Sequence, residues 1–194
     1  MLADALNTVP AGCRDLVEAL DRAASQDDVG AITRDVQTVL SDFAAANRVE
    51  LPDDLRQPCE DGYARRLIYR SDAPRYTVLA MVWGPGQGTP VHDHSGLWCV
   101  EGVVEGRIAV QQYDMVERRE DRCRFESRET TEAGVGSSGR LIPPFDYHTI
   151  ANPSTEDCAI TVHVYGGEMV ECKIYEPSAD GWYDESVREL SYSG

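Results

Sequence analysis

The 194-residue sequence is poor in lysine, in long apolar segments and in paired cysteines, and each shortage excludes a class of protein. Lys173 is the only lysine, and 34 acidic residues against 18 basic ones give a formal charge of −16. Nucleic acids and anionic membrane surfaces would repel such a chain, so neither is expected as a partner. No stretch approaches the roughly 20 apolar residues that span a bilayer.

The cysteines and the N-terminal residues indicate a reducing compartment. The stretch MLADALNTVPAGC has neither the basic start nor the apolar core of a signal peptide, so a cytoplasmic protein is expected. The six cysteines are scattered and form no CxxC pair, which favours free thiols over a disulfide framework or a zinc site. The length predicts one domain with a modest extension.

Apolar patterning divides the chain into three parts. Two runs of helical spacing predict an N-terminal helical segment over residues 1–60, covering one face of the domain. Residues 61–180 contain short β-rich runs between turn residues, a pattern typical of a sandwich or barrel. Residues 181–194 are expected to form a C-terminal surface tail. The expected fold class is therefore mainly β, with N-terminal α-helices.

All four histidines fall in the β-rich region, at positions 92, 94, 148 and 163. His92 and His94 are two residues apart, so in a strand both imidazoles point to one face and can reach one ion. His148 follows a Pro-Pro turn and can approach from a facing strand. Three neutral imidazoles leave coordination positions open, as a catalytic metal requires. We predict a metal site at these three residues; the alternative is three unrelated, hydrogen-bonded histidines.

The spacing around these histidines resembles the two motifs of the cupin superfamily. The first motif is matched by Gly86, His92, His94 and Gly106. Cys99 stands where that motif usually has glutamate. Residues 143–152 resemble the second motif, with Phe145 in place of its glycine. The resemblance implies a double-stranded β-helix (jelly-roll) barrel that holds a metal inside, here through three histidines without a carboxylate.

Further motifs resemble the thiol dioxygenases, in particular cysteine dioxygenase. The similarity covers about residues 60–170 and includes the run WGPGQGTPVHDH from Trp83 to His94, with Cys99 five residues later. Thr161, His163 and Tyr165 resemble the family's S-x-H-x-Y. The family implies one Fe(II) per chain and the insertion of both atoms of O2 into a small thiol, which yields a sulfinic acid.

Thr161, His163 and Tyr165 alternate with two valines and therefore share one strand face. If that face is buried, hydrogen bonds from Thr161 to His163 and from His163 to Tyr165 would satisfy it. The resemblance gives the three residues a catalytic role. It adds Cys99, because the positions of Cys99 and Tyr165 form a thioether cross-link in mammalian-type enzymes. A solvent-facing strand, and a plainly structural Cys99, are the alternatives.

Substrate contacts are predicted from Tyr63, Arg65 and Trp83. Tyr63 and Arg65 resemble the family's Y-x-R, whose arginine grips the substrate carboxylate, a task suited to the planar guanidinium fork. The family's spacing between this arginine and the first histidine, counted back from His92 without a gap, falls on Arg66. If the turn at 71–74 contains one extra residue, the spacing falls on Arg65. We prefer Arg65; two surface arginines are the remaining alternative.

The expected substrates are therefore a small carboxylated thiol and O2. Bacterial relatives that oxidise 3-mercaptopropionate share the WGPGQ run at 83–87 but tend to have glycine at the Cys99 position and glutamine at the Arg65 position. The residues present here favour L-cysteine, oxidised to cysteine sulfinic acid. 3-Mercaptopropionate or another mercapto acid is the alternative. A non-catalytic ligand-binding or isomerase cupin represents a different class. No sequence feature specifies an oligomeric state.

Overall fold

The computed structural model describes residues 9–73 and 75–193 of the chain. Residues 1–8 of the expected helical segment, Pro74 in the 71–74 turn and Gly194 of the expected tail lie outside the described residues.

Two helices precede the strands, α1 over Arg14–Ala24 and α2 over Val29–Ala45. Each buries one apolar stripe, because its apolar residues recur every three or four positions. Asp28 caps α2, and its side chain accepts a hydrogen bond from the Ala31 amide at 2.8 Å. No helix in the described part of the chain is long and apolar enough to cross a membrane.

Eleven strands follow within the described residues. They are β1 Ala64–Asp72, β2 Arg75–Trp83, β3 Val91–His92, β4 Cys99–Glu105, β5 Arg107–Arg119, β6 Arg122–Gly134, β7 Ser138–Leu141, β8 His148–Ala151, β9 Ala159–Tyr165, β10 Glu171–Pro177 and β11 Tyr183–Glu189. Five form a sheet in the order β1-β2-β9-β4-β7, and six close on themselves in the order β10-β11-β6-β5-β8-β3. The expected mainly β barrel with N-terminal helices is confirmed.

Strand β9 lies at the centre of the five-stranded sheet and is buried along its whole length. Ile160, Val162 and Val164 belong to the apolar core under the helices. The alternate residues face the barrel interior, because side chains switch faces at every step along a strand. The sheet thus separates a helix-covered core from a barrel interior that contains the polar residues of β9.

The C-terminal stretch contradicts the expected surface tail over residues 181–194. Strand β11 pairs with β10 along its length, from Tyr183 opposite Pro177 to Glu189 opposite Glu171. Much of this strand is exposed, so its sequence, YDESVRE, is rich in charged residues. Its backbone pairing with β10 leaves no pattern in the side chains from which a strand could be predicted. We propose that the barrel unit, expected over 61–180, extends to residue 189.

The packing of α2 on the sheet gives a stability prediction. Leu40 is 1% exposed, and its Cβ lies 3.2 Å from the position that a Cβ on Gly102 would take. We expect Leu40→Ala to lower the free energy of unfolding by about 2–5 kcal/mol, because it leaves a cavity at this close contact. The exposed Val29→Ala on the same helix is the control, with an expected change within about 0.5 kcal/mol. Chemical denaturation measures both, and equal effects would contradict the packing described.

Candidate metal centre and substrate pocket

The structure brings His92, His94 and His148 together inside the barrel. One ring nitrogen from each lies within 4.8 Å of the others. His92 on β3 pairs directly with His148 on β8, and their Nε2 atoms are 3.2 Å apart. His94 follows in the turn after β3 and is fully buried. The three predicted ligands thus converge from two paired strands and one turn.

The outward Nδ1 atoms of two of these rings have hydrogen-bond partners. His92 Nδ1 lies 3.2 Å from the Pro90 carbonyl oxygen, and His94 Nδ1 lies 3.1 Å from Oδ2 of Asp146. The same carboxylate oxygen accepts the backbone N–H of His94 at 3.0 Å. A proton on each Nδ1 satisfies these acceptors and leaves the Nε2 lone pair for the centre of the cluster.

The donor set fits a divalent ion. Burial lowers the pKa of His92 to about 3 and that of His148 well below its usual range, so both imidazoles stay neutral, the form that binds metal. Nitrogens that share an ion at about 2.1 Å lie about 3–3.5 Å apart, and the 3.2 Å between the two Nε2 atoms meets this requirement. No carboxylate belongs to the cluster within the described residues, which leaves coordination positions open.

The predicted polar row on β9 forms a hydrogen-bonded chain. Thr161 Oγ1 lies 2.8 Å from His163 Nε2, and His163 Nδ1 lies 3.2 Å from the Tyr165 hydroxyl. Trp83 Nε1 donates to Thr161 Oγ1 at 2.9 Å. All three β9 side chains are buried, so the solvent-facing alternative is wrong. Burial lowers the pKa of His163 to about 3, and the ring is neutral.

Cys99 on β4 lies directly opposite Tyr165 in the strand register. Its Sγ is 3.9 Å from His163 Nδ1, and the residue is fully buried. Burial raises the pKa of the thiol well above its usual range, so the group is a neutral thiol. The pairing places Cys99 beside the tyrosine, and the Cys99–Tyr165 cross-link stays a prediction.

A narrow cavity of about 20 Å³ opens beside His92, His163 and Tyr165. The predicted substrate residues Tyr63, Arg65 and Trp83 all line it, and the rings of Tyr63 and Trp83 are in contact with centroids 4.7 Å apart. Among the described residues, the remaining lining side chains are mostly apolar and none is acidic. We call this cavity the candidate substrate pocket, or the pocket for short.

Arg65 and Arg66 point to opposite sides of β1. Arg65 lines the pocket, where its Nη2 donates to the Met169 carbonyl at 3.1 Å. Arg66 Nη2 instead donates to the Gln57 carbonyl at 2.9 Å, outside the pocket. Both side chains are buried, so the surface-charge alternative is wrong. Arg65 therefore lines the cavity and Arg66 does not, and substrate contact by Arg65 remains a prediction.

Arg188, a second pocket arginine, was missed by the sequence interpretation. It lies on β11 opposite Cys172, and residues paired across antiparallel strands share a face, so both line the pocket. Burial raises the pKa of Tyr63, and the Arg188 guanidinium opposes that rise. The expectation of a tail over 181–194 hid this residue, whereas recognition of β11 as a strand would have revealed it.

Glu101 was also missed, although its spacing offered a signal. It follows Cys99 by two residues on β4 and therefore shares the inward face. Its Oε1 lies 3.8 Å from His148 Nδ1 and its Oε2 lies 3.7 Å from His163 Nδ1. Burial raises the pKa of this carboxyl group to about 8.

Comparison with known proteins gives one family match. The family model for cysteine dioxygenase type I matches residues 55–178. The chain is 21% identical over 114 residues to cysteine dioxygenase type 1 of Rattus norvegicus, with 59% of this chain and 56% of the relative covered. It is 22% identical over 119 residues to that of Danio rerio, with the same coverage. The chain thus spans about half the length of the curated relatives it matches, 56%.

Solved structures similar to this chain include two bacterial proteins. TT1209 from Thermus thermophilus is 20% identical with a TM-score of 0.45, and the match covers 60% of this chain and 94% of that one. An uncharacterised protein with a double-stranded β-helix domain from Klebsiella pneumoniae is 18% identical with a TM-score of 0.47, and the match covers 61% and 83% of the two chains.

Buried titratable groups predict a stability maximum near pH 6.5 for the metal-free protein. The pKa of His163 falls from 6.5 to about 3 on folding, so between these values the unfolded chain binds a proton that the folded chain does not, and stability falls as the pH falls. His92 acts in the same direction. The pKa of Glu101 rises from 4.5 to about 8, so its contribution is lost as the pH rises towards 8.

Denaturation of the chelator-treated protein across this pH range measures the effect. Glu101→Gln should remove the decline between pH 6.5 and 8 and keep the decline on the acid side. A profile that is flat above pH 6.5 in the wild-type protein would show that the Glu101 carboxyl group is solvated in the native state.

Proposed function

The chain belongs to the cysteine dioxygenase type I family, and from this we propose that it is an Fe(II)-dependent thiol dioxygenase. Its proposed substrates are O2 and a small carboxylated thiol, with L-cysteine favoured. The sulfur takes up both oxygen atoms and the thiol becomes a sulfinic acid, so the sulfur loses four electrons and dioxygen gains them. No further oxidant is required.

One observation carries the proposal. A cluster of three histidines with open coordination positions adjoins a pocket where, among the described residues, the formally charged lining side chains are Arg65 and Arg188. A neutral ligand set leaves a divalent ion with its full charge, which favours an anionic thiolate. The two guanidinium groups favour a substrate that also carries a carboxylate. We propose one iron per chain, held by His92, His94 and His148, where it would supply the Lewis-acid and redox chemistry.

The protein's own residues bind and orient the substrate. Arg65 is 5% exposed and donates to the carbonyl oxygens of Met169 and Ser191, at 3.1 and 3.4 Å. A substrate carboxylate would accept hydrogen bonds from the same guanidinium N–H groups. These bonds would be stronger than the present ones, because the carbonyl acceptors are neutral and the carboxylate is charged. Tyr63 and Trp83 form an aromatic wall beside it.

The chain of hydrogen bonds on β9 positions the Tyr165 hydroxyl. Thr161 is fixed by the Trp83 indole and in turn contacts His163 Nε2, which orients the imidazole towards the tyrosine. With His163 neutral and Tyr165 protonated, the hydroxyl can donate a hydrogen bond to the reacting sulfur or oxygen atoms. Cys99 lies across the strand pair and is the proposed cross-link partner of Tyr165.

The leading alternative substrate is 3-mercaptopropionate or another mercapto acid. Arg188 favours acids as a class, because it adds a second cation at the pocket, whereas cysteamine offers no carboxylate. A ligand-binding or isomerase cupin without redox chemistry would bind no iron or would consume no O2.

Iron-dependent oxygen uptake is the first expected outcome. Protein loaded with one Fe(II) per chain should consume O2 with L-cysteine and form cysteine sulfinate in equal amount. His92→Ala, which removes one nitrogen from the cluster, should lose both bound iron and oxygen uptake. An oxygen electrode with product analysis measures the reaction over a panel of thiols. A fully iron-loaded protein that oxidises none of them would refute the proposal.

Arg65→Gln should discriminate between substrates. We expect kcat/KM for carboxylated thiols to fall by about 10- to 100-fold, because charge-assisted hydrogen bonds worth about 1.5–3 kcal/mol are lost. Any activity on cysteamine should change little. Arg70→Gln is the control, since Arg70 lies on the same strand and forms an exposed ion pair with Glu168. Equal losses for acids and amines would assign Arg65 a structural role instead.

A further inference from the structure

Glu101 is a buried carboxyl group without a role in the reaction as proposed. It is 7% exposed, and its Oε2 has no hydrogen-bond partner within the described part of the chain. A buried polar atom without a partner destabilises the folded state, so its presence calls for a physical reason. The charged or titratable side chains near this carboxyl group are histidines. Within the described residues, no arginine or lysine forms an ion pair with it.

The histidine cluster has a matching gap. His92 and His94 each direct Nδ1 to an oxygen acceptor, the Pro90 carbonyl at 3.2 Å and Asp146 Oδ2 at 3.1 Å. His148 Nδ1 is buried without a hydrogen-bond partner among the described residues. The carboxyl oxygen facing it is Glu101 Oε1, at 3.8 Å, which is beyond hydrogen-bond length. Glu101 thus faces Nδ1 of His148 as the Pro90 carbonyl faces Nδ1 of His92 and as Asp146 faces Nδ1 of His94.

We propose that Glu101 is the positioning residue for His148, and this rests on the proposed metal centre. With Nε2 of His148 directed to a bound ion, its proton would be on Nδ1, and this N–H would donate to Glu101 Oε1 once the pair came within hydrogen-bond length. Glu101 is no ligand itself, because it faces the ring nitrogen opposite the one that points to the cluster.

The second carboxyl oxygen links the metal centre to the β9 chain of hydrogen bonds. Glu101 Oε2 lies 3.7 Å from His163 Nδ1, and Glu101 is paired with His163 in the β4–β9 register. The Glu101 carboxyl group therefore faces His148, a proposed metal ligand, with one oxygen. Its other oxygen faces His163, which contacts Tyr165. Glu101 thus lies between the two imidazoles, at 3.8 Å from one and 3.7 Å from the other.

Glu101 also borders free space. It lines a cavity of about 270 Å³, together with Val103, Gln112, Glu129 and Arg140. Its carboxyl group is therefore not enclosed by packed atoms on every side. The same cavity offers a competing role, in which Glu101 is merely hydrated and does not affect the metal.

Metal affinity separates the two roles without reliance on thiol oxidation. Glu101→Leu removes the acceptor, Glu101→Gln keeps a carbonyl oxygen at the same place, and Glu129→Leu is the control from the wall of the same cavity. Anaerobic competition with a chelator gives the Fe(II) dissociation constant of each full-length protein. The visible spectrum of the Co(II) form reports the ligand geometry, and the melting temperature of the metal-free form reports stability.

We expect Glu101→Leu to weaken Fe(II) binding by about 10- to 100-fold and to alter the Co(II) spectrum, as loss of a ligand's hydrogen-bond partner does. Its metal-free melting temperature should stay equal or rise, because an unpaired buried carboxyl group is replaced by an apolar side chain. Glu101→Gln should retain most of the affinity, and Glu129→Leu should match the wild-type protein.

Wild-type affinity in Glu101→Leu would overturn the proposal and favour a hydrated carboxyl group. A lower melting temperature with equal affinity losses in both Glu101 variants would overturn it in favour of a structural role. A wild-type protein that binds neither Fe(II) nor Co(II) would instead refute the proposed metal centre, and this inference with it.

Discussion

The structure depends on the burial of β9 on both faces. One face closes the apolar core under the helices, and the other presents Thr161, His163 and Tyr165 to the barrel interior. Polar groups in such a place must find partners within the protein, since water cannot supply them. The partners come from the flanking strands β2 and β4, with Trp83 on one side and Cys99 on the other.

Local patterns in the sequence were sufficient for the centre of the site but not for its rim. The alternation on β9 depends only on strand periodicity, so the hydrogen bonds of His163 could be predicted. The expected convergence of His92 with His94 is also found, but β3 ends at His92 and His94 reaches the cluster from the following turn. Arg65 required knowledge of which face of β1 points inward, and counting along the sequence left Arg66 as an alternative.

Arg188 depends on backbone pairing between β10 and β11, which side-chain patterning does not encode. Glu101 was visible as an inward position, but its significance arises only from the unpaired Nδ1 of His148.

The charge of the pocket is opposite in sign to the net charge of the chain. The chain has 34 acidic and 18 basic residues, yet among the described residues the formally charged side chains lining the pocket are both arginines. An anionic substrate is repelled by the protein as a whole, but salt screens that repulsion beyond about 8 Å. Attraction by the buried Arg65 is screened less, because the surrounding protein excludes water and ions. Recognition of the proposed acid substrate would therefore be short-ranged and confined to the pocket.

The alternation on β9 also has a consequence for strand registration during folding. A slip by one residue would turn Val162 and Val164 into the barrel and His163 towards the helices. Three polar side chains would then lie in an apolar core without partners, at a cost of several kcal/mol. The misregistered sheet is therefore disfavoured by the same side chains that lie beside the candidate metal site. The proposed chemistry of this strand and its correct pairing depend on one set of residues.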